Sequence, residues 1–200
     1  MDPKIVACKE TAKPDAEGWI LIQKRGQFGN PEDFFAKSFQ EYEEGFGSVL
    51  EEFWIGLEKL TSLTSELKWE LKVILLDWAG RKYEALFRNF RVGRYELTLV
   101  EYDERVSNIG GLSFLFHNGQ AFSTSDKDQD VHPGASCSKL SGNGGWWYRN
   151  CYRSNLNGRN VPTSYISVDA NSDNDDGITT IDGGSQITSY KGTRMELSSI

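Results

Sequence analysis

The segment Gly145-Trp146-Trp147-Tyr148-Arg149-Asn150-Cys151 (GWWYRNC) places three aromatic residues in succession inside the least patterned part of the chain. Residues 106–190 around it are rich in Gly, Asn, Ser and Asp and show little hydrophobic periodicity. So long a region without a pattern is typical of functional loops or of disorder. The three adjacent aromatic rings argue against disorder. We therefore expect an ordered, loop-rich half of the protein around this segment.

Two of the three cysteines, Cys137 and Cys151, flank the aromatic segment and lie 14 residues apart. This spacing allows a disulfide, which would stabilise the fold by roughly 3 kcal/mol for a loop of about 15 residues. Two unrelated buried thiols are the alternative. The odd count leaves Cys8 either free or paired with a cysteine upstream of residue 1.

The composition describes one folded, acidic unit. Of 200 residues, 38% are hydrophobic, with 6 Trp, 8 Tyr and 11 Phe, which is enough to bury a core. The formal charge of −7 argues against partners such as nucleic acid or an anionic membrane. No apolar run is long enough to span a membrane, and the first residues lack the apolar core of a signal peptide. Acidic clusters at 126–130 and 169–182 favour divalent cations or basic partners.

Hydrophobic patterning predicts a mixed fold with an antiparallel meander. Apolar or alternating stretches predict strands at residues 19–25, 69–76, 82–87, 90–92, 95–99 and 193–197. Apolar residues spaced three or four apart predict helices at residues 34–42 and 56–63.

Eight stretches, in this order and spacing, resemble the fibrinogen C-terminal (fibrinogen-like) family, and the combination covers nearly the whole chain. They are GWILIQKR at 18–25, YEEGFG at 42–47, EFWIGLEKL at 52–60, DWAG at 77–80, HNG at 117–119, FST at 122–124, GWWYRNC at 145–151 and NLNG at 155–158. The resemblance implies an α+β fold, with a central twisted antiparallel sheet, flanking helices and a loop-rich C-terminal subdomain. It also implies that the last strand, near Met195, re-enters the central sheet, and that Cys137 pairs with Cys151.

The resemblance implies one domain that lacks most of its N-terminal subdomain. Residues 1–16 would be a remnant, 17–105 and 191–200 the central sheet, and 106–190 the calcium- and ligand-binding loops. Cys8 would then have lost its partner through truncation or divergence.

The acidic loop Ser125–Cys137 matches the place where family members bind Ca²⁺. The resemblance assigns side-chain oxygens from Asp128 and Asp130 and carbonyl oxygens from His132 and Gly134, a donor set that suits calcium. The loop is not an EF-hand, because its sixth and twelfth positions from Asp126 are Val and Cys. It is also one residue longer than in the family. A solvated acidic loop is the alternative, and we expect one for the second acidic run at 169–177.

A ligand pocket is implied beside the disulfide. In lectin-like members an N-acetyl group occupies a small aromatic pocket, where a cis peptide, here Asn150–Cys151, turns amides toward the ligand. The implied ligand-binding residues are Asn150, Cys151, Tyr152, Trp147 and Asp173. Tyr152 replaces the family's usual His, and residues 140–143 and 178–181 lack its usual aromatic side chains. A pocket remodelled for another ligand is therefore an open alternative, as is a core-packing role for Trp147.

We expect a secreted module of an invertebrate fibrinogen-related protein of innate immunity. It would bind microbial or parasite surface carbohydrate, including acetylated sugars as one candidate, with calcium support. The alternatives are an extracellular protein-protein or matrix interaction domain and a self-associating homo-oligomer. We expect no enzyme, because neither His117 nor His132 has a nucleophile near it in sequence and no catalytic motif is present.

Overall fold

The computed structural model describes residues 18–66, 68–109, 112–160, 166–167, 179–181 and 186–200. Cys8, Asp173 and the rest of the second acidic run at 169–177 lie outside the described residues. Within the described ranges, no helix has the length and hydrophobicity needed to cross a bilayer.

The larger sheet is antiparallel and contains eight of the described strands. In spatial order they are β2 (Phe46–Gly47), β3 (Phe53–Trp54), β1 (Ile20–Arg25), β12 (Gly192–Ser199), β4 (Trp69–Leu76), β5 (Lys82–Gly93) and β6 (Glu96–Thr98), with β7 (Glu101–Tyr102) also paired to β5. The C-terminal strand lies in the middle, where it pairs with β1 on one side and with β4 on the other. The predicted return of the last strand to the central sheet is confirmed.

A smaller antiparallel sheet belongs to the loop-rich half. Its described strands, in spatial order, are β8 (Ser154–Asn155), β10 (Thr179–Ile181), β11 (Gln186–Ser189) and β9 (Ile166–Ser167). The described helices that accompany the sheets are α1 (Phe39–Glu44), α2 (Leu57–Leu63), α3 (Leu112–Leu115) and α4 (Cys137–Leu140). The predicted α+β class is confirmed.

Two predicted boundaries were wrong. The helix predicted at 34–42 begins at Phe39, because Ser38 and Glu41 form a reciprocal capping box that fixes the first turn there. Phe35 is buried but lies ahead of the helix. The strands predicted at 82–87 and 90–92 form one continuous strand, β5. Only its pairing with β4 is irregular, near Asn89. Asn89 has a φ of 55° there.

An aromatic cluster joins the two halves of the molecule. Tyr42 of α1 contacts Trp54 and Phe122 at ring centroid distances of 5.6 and 5.0 Å, and Phe122 contacts Trp147 at 5.1 Å. The Tyr42 hydroxyl also accepts a hydrogen bond from the Gly145 amide at 3.0 Å. A Cβ at Gly145 would lie 2.6 Å from the Phe122 ring and 2.7 Å from the Tyr42 ring. Glycine at this position therefore lets the aromatic segment approach the core.

A buried ion pair adds a polar connection between the halves. The Arg25 Nε donates to Glu52 Oε1 at 2.7 Å, and both side chains are at most 1% exposed. The Arg25 Nη1 donates to the carbonyl oxygens of Gly158 at 2.6 Å and Leu156 at 3.3 Å. Burial lowers the pKa of Arg25, and the Glu52 carboxylate opposes this shift. Because arginine stays protonated in proteins, the guanidinium remains a charged link from β1 to the loop-rich half.

Replacing Glu52 with Ala should lower the free energy of unfolding by about 3 to 5 kcal/mol, because it leaves the Arg25 charge buried without its counter-ion. Urea denaturation with the disulfide intact measures this. As a control, Glu84→Ala removes a solvent-exposed ion pair with Lys82 and should leave the unfolding free energy nearly unchanged. Equal losses in the two variants would contradict a special role for the buried pair.

Candidate functional site

The first carboxylate of the acidic loop, Asp126, is hydrogen-bonded to the start of helix α1. Asp126 Oδ1 accepts hydrogen bonds from the Phe39 amide at 3.0 Å and from the Thr124 hydroxyl at 2.7 Å. Burial alone would raise the pKa of Asp126, but these hydrogen bonds hold it below its ordinary value. Asp126 therefore satisfies the first amide of helix α1 and fixes the acidic loop to the central half.

Asp128 and Asp130 lie close to each other, as the predicted calcium site requires. Asp128 Oδ1 accepts from the Asp130 amide at 3.3 Å. Asp130 Oδ1 accepts from the His132 amide at 2.9 Å, and its Oδ2 accepts from the Cys137 amide at 2.8 Å. Burial raises the pKa of Asp130, and the neighbouring Asp128 carboxylate adds to the rise, while the Cys137 and His132 amides oppose it. Two like charges are thus held together by the backbone around them.

The imidazole of His132 is hydrogen-bonded to the turn that follows it. Its Nδ1 accepts hydrogen bonds from the amides of Gly134 at 3.2 Å and Ala135 at 3.0 Å. Among the described residues, no three His, Cys, Asp or Glu side chains come together as a metal-binding group. A cation here would therefore depend on two carboxylates and on main-chain carbonyl oxygens, the kind of donor set that calcium accepts.

Two contacts of the described residues attach the acidic loop to the aromatic segment. The first is the Cys137–Cys151 disulfide, with an S–S distance of 2.10 Å. The second is a hydrogen bond from the Val131 amide to the Arg149 carbonyl at 3.2 Å. The predicted disulfide is present, and it brings the candidate metal site and the candidate ligand site into one unit.

The Asn150–Cys151 peptide is cis and lies at the surface, with Asn150 exposed and Cys151 half-buried. The Arg149 amide donates to the Cys151 carbonyl at 2.7 Å. The next two amides, of Asn150 and Cys151, have no hydrogen-bond acceptor in the described part of the protein. Two consecutive backbone donors are therefore available to a ligand.

The remaining predicted ligand residues have different environments. Tyr152 is half-buried, and its ring lies 6.2 Å from that of the buried Tyr148. Trp147 has no exposed surface, and its Nε1 donates to the Tyr95 carbonyl at 3.1 Å. Trp147 therefore supports the site from the core and offers no surface to a ligand. Asp173 is outside the described residues.

Comparison with known proteins agrees with this architecture. The family model for the C-terminal globular domain of the fibrinogen beta and gamma chains matches residues 4–199. The protein belongs to the fibrinogen C-terminal domain family. The family assignment made from the sequence is thus confirmed.

Among fibrinogen-like relatives, techylectin-5A of Tachypleus tridentatus is 37% identical over 144 residues, which are 72% of this protein and 49% of techylectin-5A. The sequence thus spans about half the length of that relative. The fibrinogen-like globe domain of human ANGPTL2 superposes with a TM-score of 0.78 at 34% identity, covering 94% of this protein and 82% of that one. Lamprey fibrin D-dimer, solved with the peptide ligand Gly-His-Arg-Pro-amide, gives 0.75 at 28% identity, covering 93% and 62%.

Sequence reasoning missed two features of this fibrinogen-like site. The role of Asp126 depends on the Phe39 amide, 87 residues away in the sequence. Arg149 and Arg153 both lie over the ring of Phe116, with Cζ to centroid distances of 5.2 and 5.0 Å. A signal for the second feature was present, since these are the only basic residues between 140 and 158 and they bracket the cis peptide.

His117, in the HNG motif, is a structural residue of this fibrinogen-like domain. Its Nδ1 lies 2.7 Å from the Trp147 carbonyl, and its Nε2 accepts from the amides of Arg153 at 3.3 Å and Ser154 at 3.1 Å. Burial lowers the pKa of His117 to about 4; the Trp147 carbonyl opposes this, and the charge of Arg149 adds to it. The imidazole is therefore neutral at physiological pH, with its proton on Nδ1.

Because the folded pKa of His117 is below its ordinary value of 6.5, acid should favour the unfolded state. The contribution of His117 to stability is complete above pH 6.5 and is lost as the pH falls toward 4, to a total of about 3 kcal/mol. Urea denaturation of the wild type and of His117→Gln at pH 7 and pH 4.5 measures this. The wild type should lose about 2 to 3 kcal/mol more than the variant over this range. Identical losses would contradict the assignment.

Proposed function

We propose that this domain is a secreted, non-enzymatic recognition module that binds sugars of microbial or parasite surfaces. The ligand would bind at the surface formed by Asn150, Cys151 and Tyr152, and bound Ca²⁺ would fix the shape of the adjoining loop. The observation that carries this proposal is the pair of consecutive amides at Asn150 and Cys151, which have no acceptor among the described residues. Such fixed donors beside a half-buried aromatic ring suit the carbonyl and the methyl of an acetylated sugar.

The acidic loop fits calcium in its donor chemistry. Asp128 and Asp130 supply two neighbouring carboxylates, close enough that the Asp130 amide donates to Asp128 Oδ1, and these repel each other without a cation. Each Asp130 oxygen already accepts one backbone hydrogen bond and keeps a second lone pair. The carbonyls of His132 and Gly134 would complete the set. A bound calcium ion would neutralise the two carboxylates. Because Asp130 accepts a hydrogen bond from the Cys137 amide, an ion bound to Asp130 would also fix the position of the disulfide.

The relatives support both the main proposal and one alternative. Techylectin-5A is a lectin by name, and its similarity to this protein favours sugar binding. The lamprey fibrin D-dimer was solved with a peptide ligand, which favours an extracellular protein-protein or matrix interaction module with no sugar binding. The altered lining around Tyr152 keeps this alternative open. Self-association into a homo-oligomer is compatible with either function.

Millimolar Ca²⁺ should raise the melting temperature by roughly 3 to 10 °C, and EDTA should reverse the rise. This size assumes a Ca²⁺ concentration about 10 to 100 times the Kd, which stabilises the folded state by about 1.4 to 2.7 kcal/mol. Differential scanning calorimetry measures the shift. Asp128→Ala should abolish it, because Asp128 has only long hydrogen bonds to lose and a full charge to contribute.

Asp126→Asn is the matched control for the calcium experiment. It removes a carboxylate charge from the same loop but keeps the Oδ1 acceptor of the Phe39 amide and the Thr124 hydroxyl, so both the fold and the Ca²⁺-dependent rise should persist. A rise that survives Asp128→Ala, or that disappears in Asp126→Asn alone, would refute the assignment.

A glycan array of bacterial and parasite saccharides, probed in 5 mM Ca²⁺ and in EDTA, tests the sugar-binding proposal. The best saccharide is then titrated by calorimetry. Tyr152→Ala should weaken binding about tenfold by removing the ring beside the two amides. Leu50→Ala, at an exposed apolar side chain of the β2–β3 hairpin, is the control and should bind normally. No saccharide binding, together with saturable binding of a protein partner that Tyr152→Ala weakens, would establish the alternative.

A further inference from the structure

Two arginines flank a single phenylalanine at the edge of the candidate ligand site. The guanidinium carbon of Arg149 lies 5.2 Å from the centroid of the Phe116 ring, and that of Arg153 lies 5.0 Å from it. Both arginines are exposed, and the ring between them is half-buried. We call these three residues the Arg–Phe–Arg cluster. The two positive charges therefore lie within about 10 Å of each other.

Neither arginine of the cluster has an acidic partner in the part of the protein that the structure describes. Most of the other described arginines do. Arginines with an ion pair are Arg25, Arg81, Arg88, Arg105, Arg159 and Arg194. In a protein with a net charge of −7, two adjacent cations without a counter-ion among the described residues form a local positive surface.

The contact with Phe116 leaves both guanidinium groups able to bind an anion. A guanidinium held against an aromatic ring uses its π face for that contact and keeps its N–H donors free in its own plane. Those donors match carboxylate and sulfate oxygens in pairs. The ring also restricts the side chains, which lowers the entropy lost on binding.

The backbone places the cluster at the ligand site. Arg149 and Arg153 stand on either side of the Asn150–Cys151 peptide, whose amides lack acceptors within the described ranges. Both arginine backbones are fixed: the Arg149 carbonyl accepts from the Val131 amide, and the Arg153 amide donates to the buried His117. The acidic loop and the core thus both hold the Arg–Phe–Arg cluster in place.

We infer that the ligand of this site is an anionic sugar, whose carboxylate or sulfate group binds the Arg–Phe–Arg cluster. This inference rests on the proposed sugar-binding function and specifies its substrate class. A neutral acetylated sugar could use only the amides and Tyr152, whereas an acidic sugar would also use two charge-assisted contacts. The protein's net negative charge repels anions at long range, so the recognition is local and weakens as salt screens it.

The test compares three hexasaccharides by calorimetry in 5 mM Ca²⁺. Hyaluronan carries N-acetyl groups and carboxylates, its carboxyl-reduced form keeps only the N-acetyl groups, and chondroitin 4-sulfate, built on N-acetylgalactosamine, carries N-acetyl groups, carboxylates and sulfate. At 50 mM NaCl the two acidic forms should bind at least about tenfold more tightly than the reduced form. At 500 mM NaCl this preference should largely disappear. A preference shown by chondroitin sulfate alone would identify sulfate as the group recognised, and one shown equally by hyaluronan would identify the carboxylate.

Arg149→Ala and Arg153→Ala should each remove most of the preference for acidic sugars and leave binding of the reduced form unchanged. The control is Arg91→Ala on β5, an exposed arginine that likewise lacks an ion pair among the described residues, and it should keep the wild-type preference. Unchanged melting temperatures in all three variants confirm that the fold is intact.

Four results would overturn the inference. Equal affinity for all three hexasaccharides, with binding that Tyr152→Ala weakens, would refute the anionic ligand and leave the sugar-binding function standing. Loss of the preference in Arg91→Ala to the same degree would show a general charge effect. Binding of poly-glutamate but of no saccharide would assign the cluster to acidic proteins. Binding of none of these probes would refute both the inference and the proposed function.

Discussion

Arg25 is a charged side chain that folding has removed from water, and the arrangement of the loop-rich half depends on satisfying it. Its partners come from three places: Glu52 in the β2–β3 hairpin, the carbonyls of Leu156 and Gly158, and the ring of Phe35. A buried guanidinium without such partners would cost several kcal/mol. The carbonyls of Leu156 and Gly158 thereby fix the loop at 156–158 against β1, while the Arg25 Nη2 has no hydrogen-bond partner among the described residues. This constraint ties the candidate site to the central sheet.

A short series of hydrogen bonds connects strand β1, which carries Arg25, to the candidate site. Gln23, on the same strand, donates to the side-chain oxygen of Asn157, and the Asn157 side-chain amide donates to the carbonyl of Gly145. Gly145 opens the aromatic segment, whose Trp146 pairs with Ser123 just before the acidic loop. The Ser123 hydroxyl in turn accepts from the Gln129 amide within that loop. The acidic loop and the amides of the candidate ligand site are thus both fixed to the same sheet.

Local sequence pattern predicted the elements that alternate regularly, and these form most of the larger sheet. Strand β4 shows the alternation of buried and less buried residues directly. The pattern failed where a local cap or an irregularity overrides it, as at Ser38 before helix α1 and at Asn89 within β5. Neither feature changes the spacing of apolar residues, so periodicity could not detect them.

The candidate site was predictable only in part, and family resemblance carried most of it. The disulfide and the cis peptide at Asn150–Cys151 followed from the family motifs and are present. The separate role of Asp126 did not follow, because its partner is distant in sequence. Sequence reasoning named Trp147 as a ligand-binding residue with core packing as the alternative, because an aromatic residue in a motif suits either role, and the structure buries it. Such assignments require long-range contacts that a single sequence does not display.

We propose that the acidic loop and the Asn150–Cys151 amides act as one unit. Backbone ¹H–¹⁵N NMR of the isotopically labelled domain, titrated first with Ca²⁺ and then with the best-binding saccharide, measures this coupling. Binding of Ca²⁺ should shift the Asp130, Val131 and Cys137 amide signals and also those of Asn150 and Cys151. The saccharide should then move Asn150 and Cys151 further, with higher affinity than in EDTA. Calcium shifts confined to the loop, or a saccharide that binds without moving either amide, would contradict it.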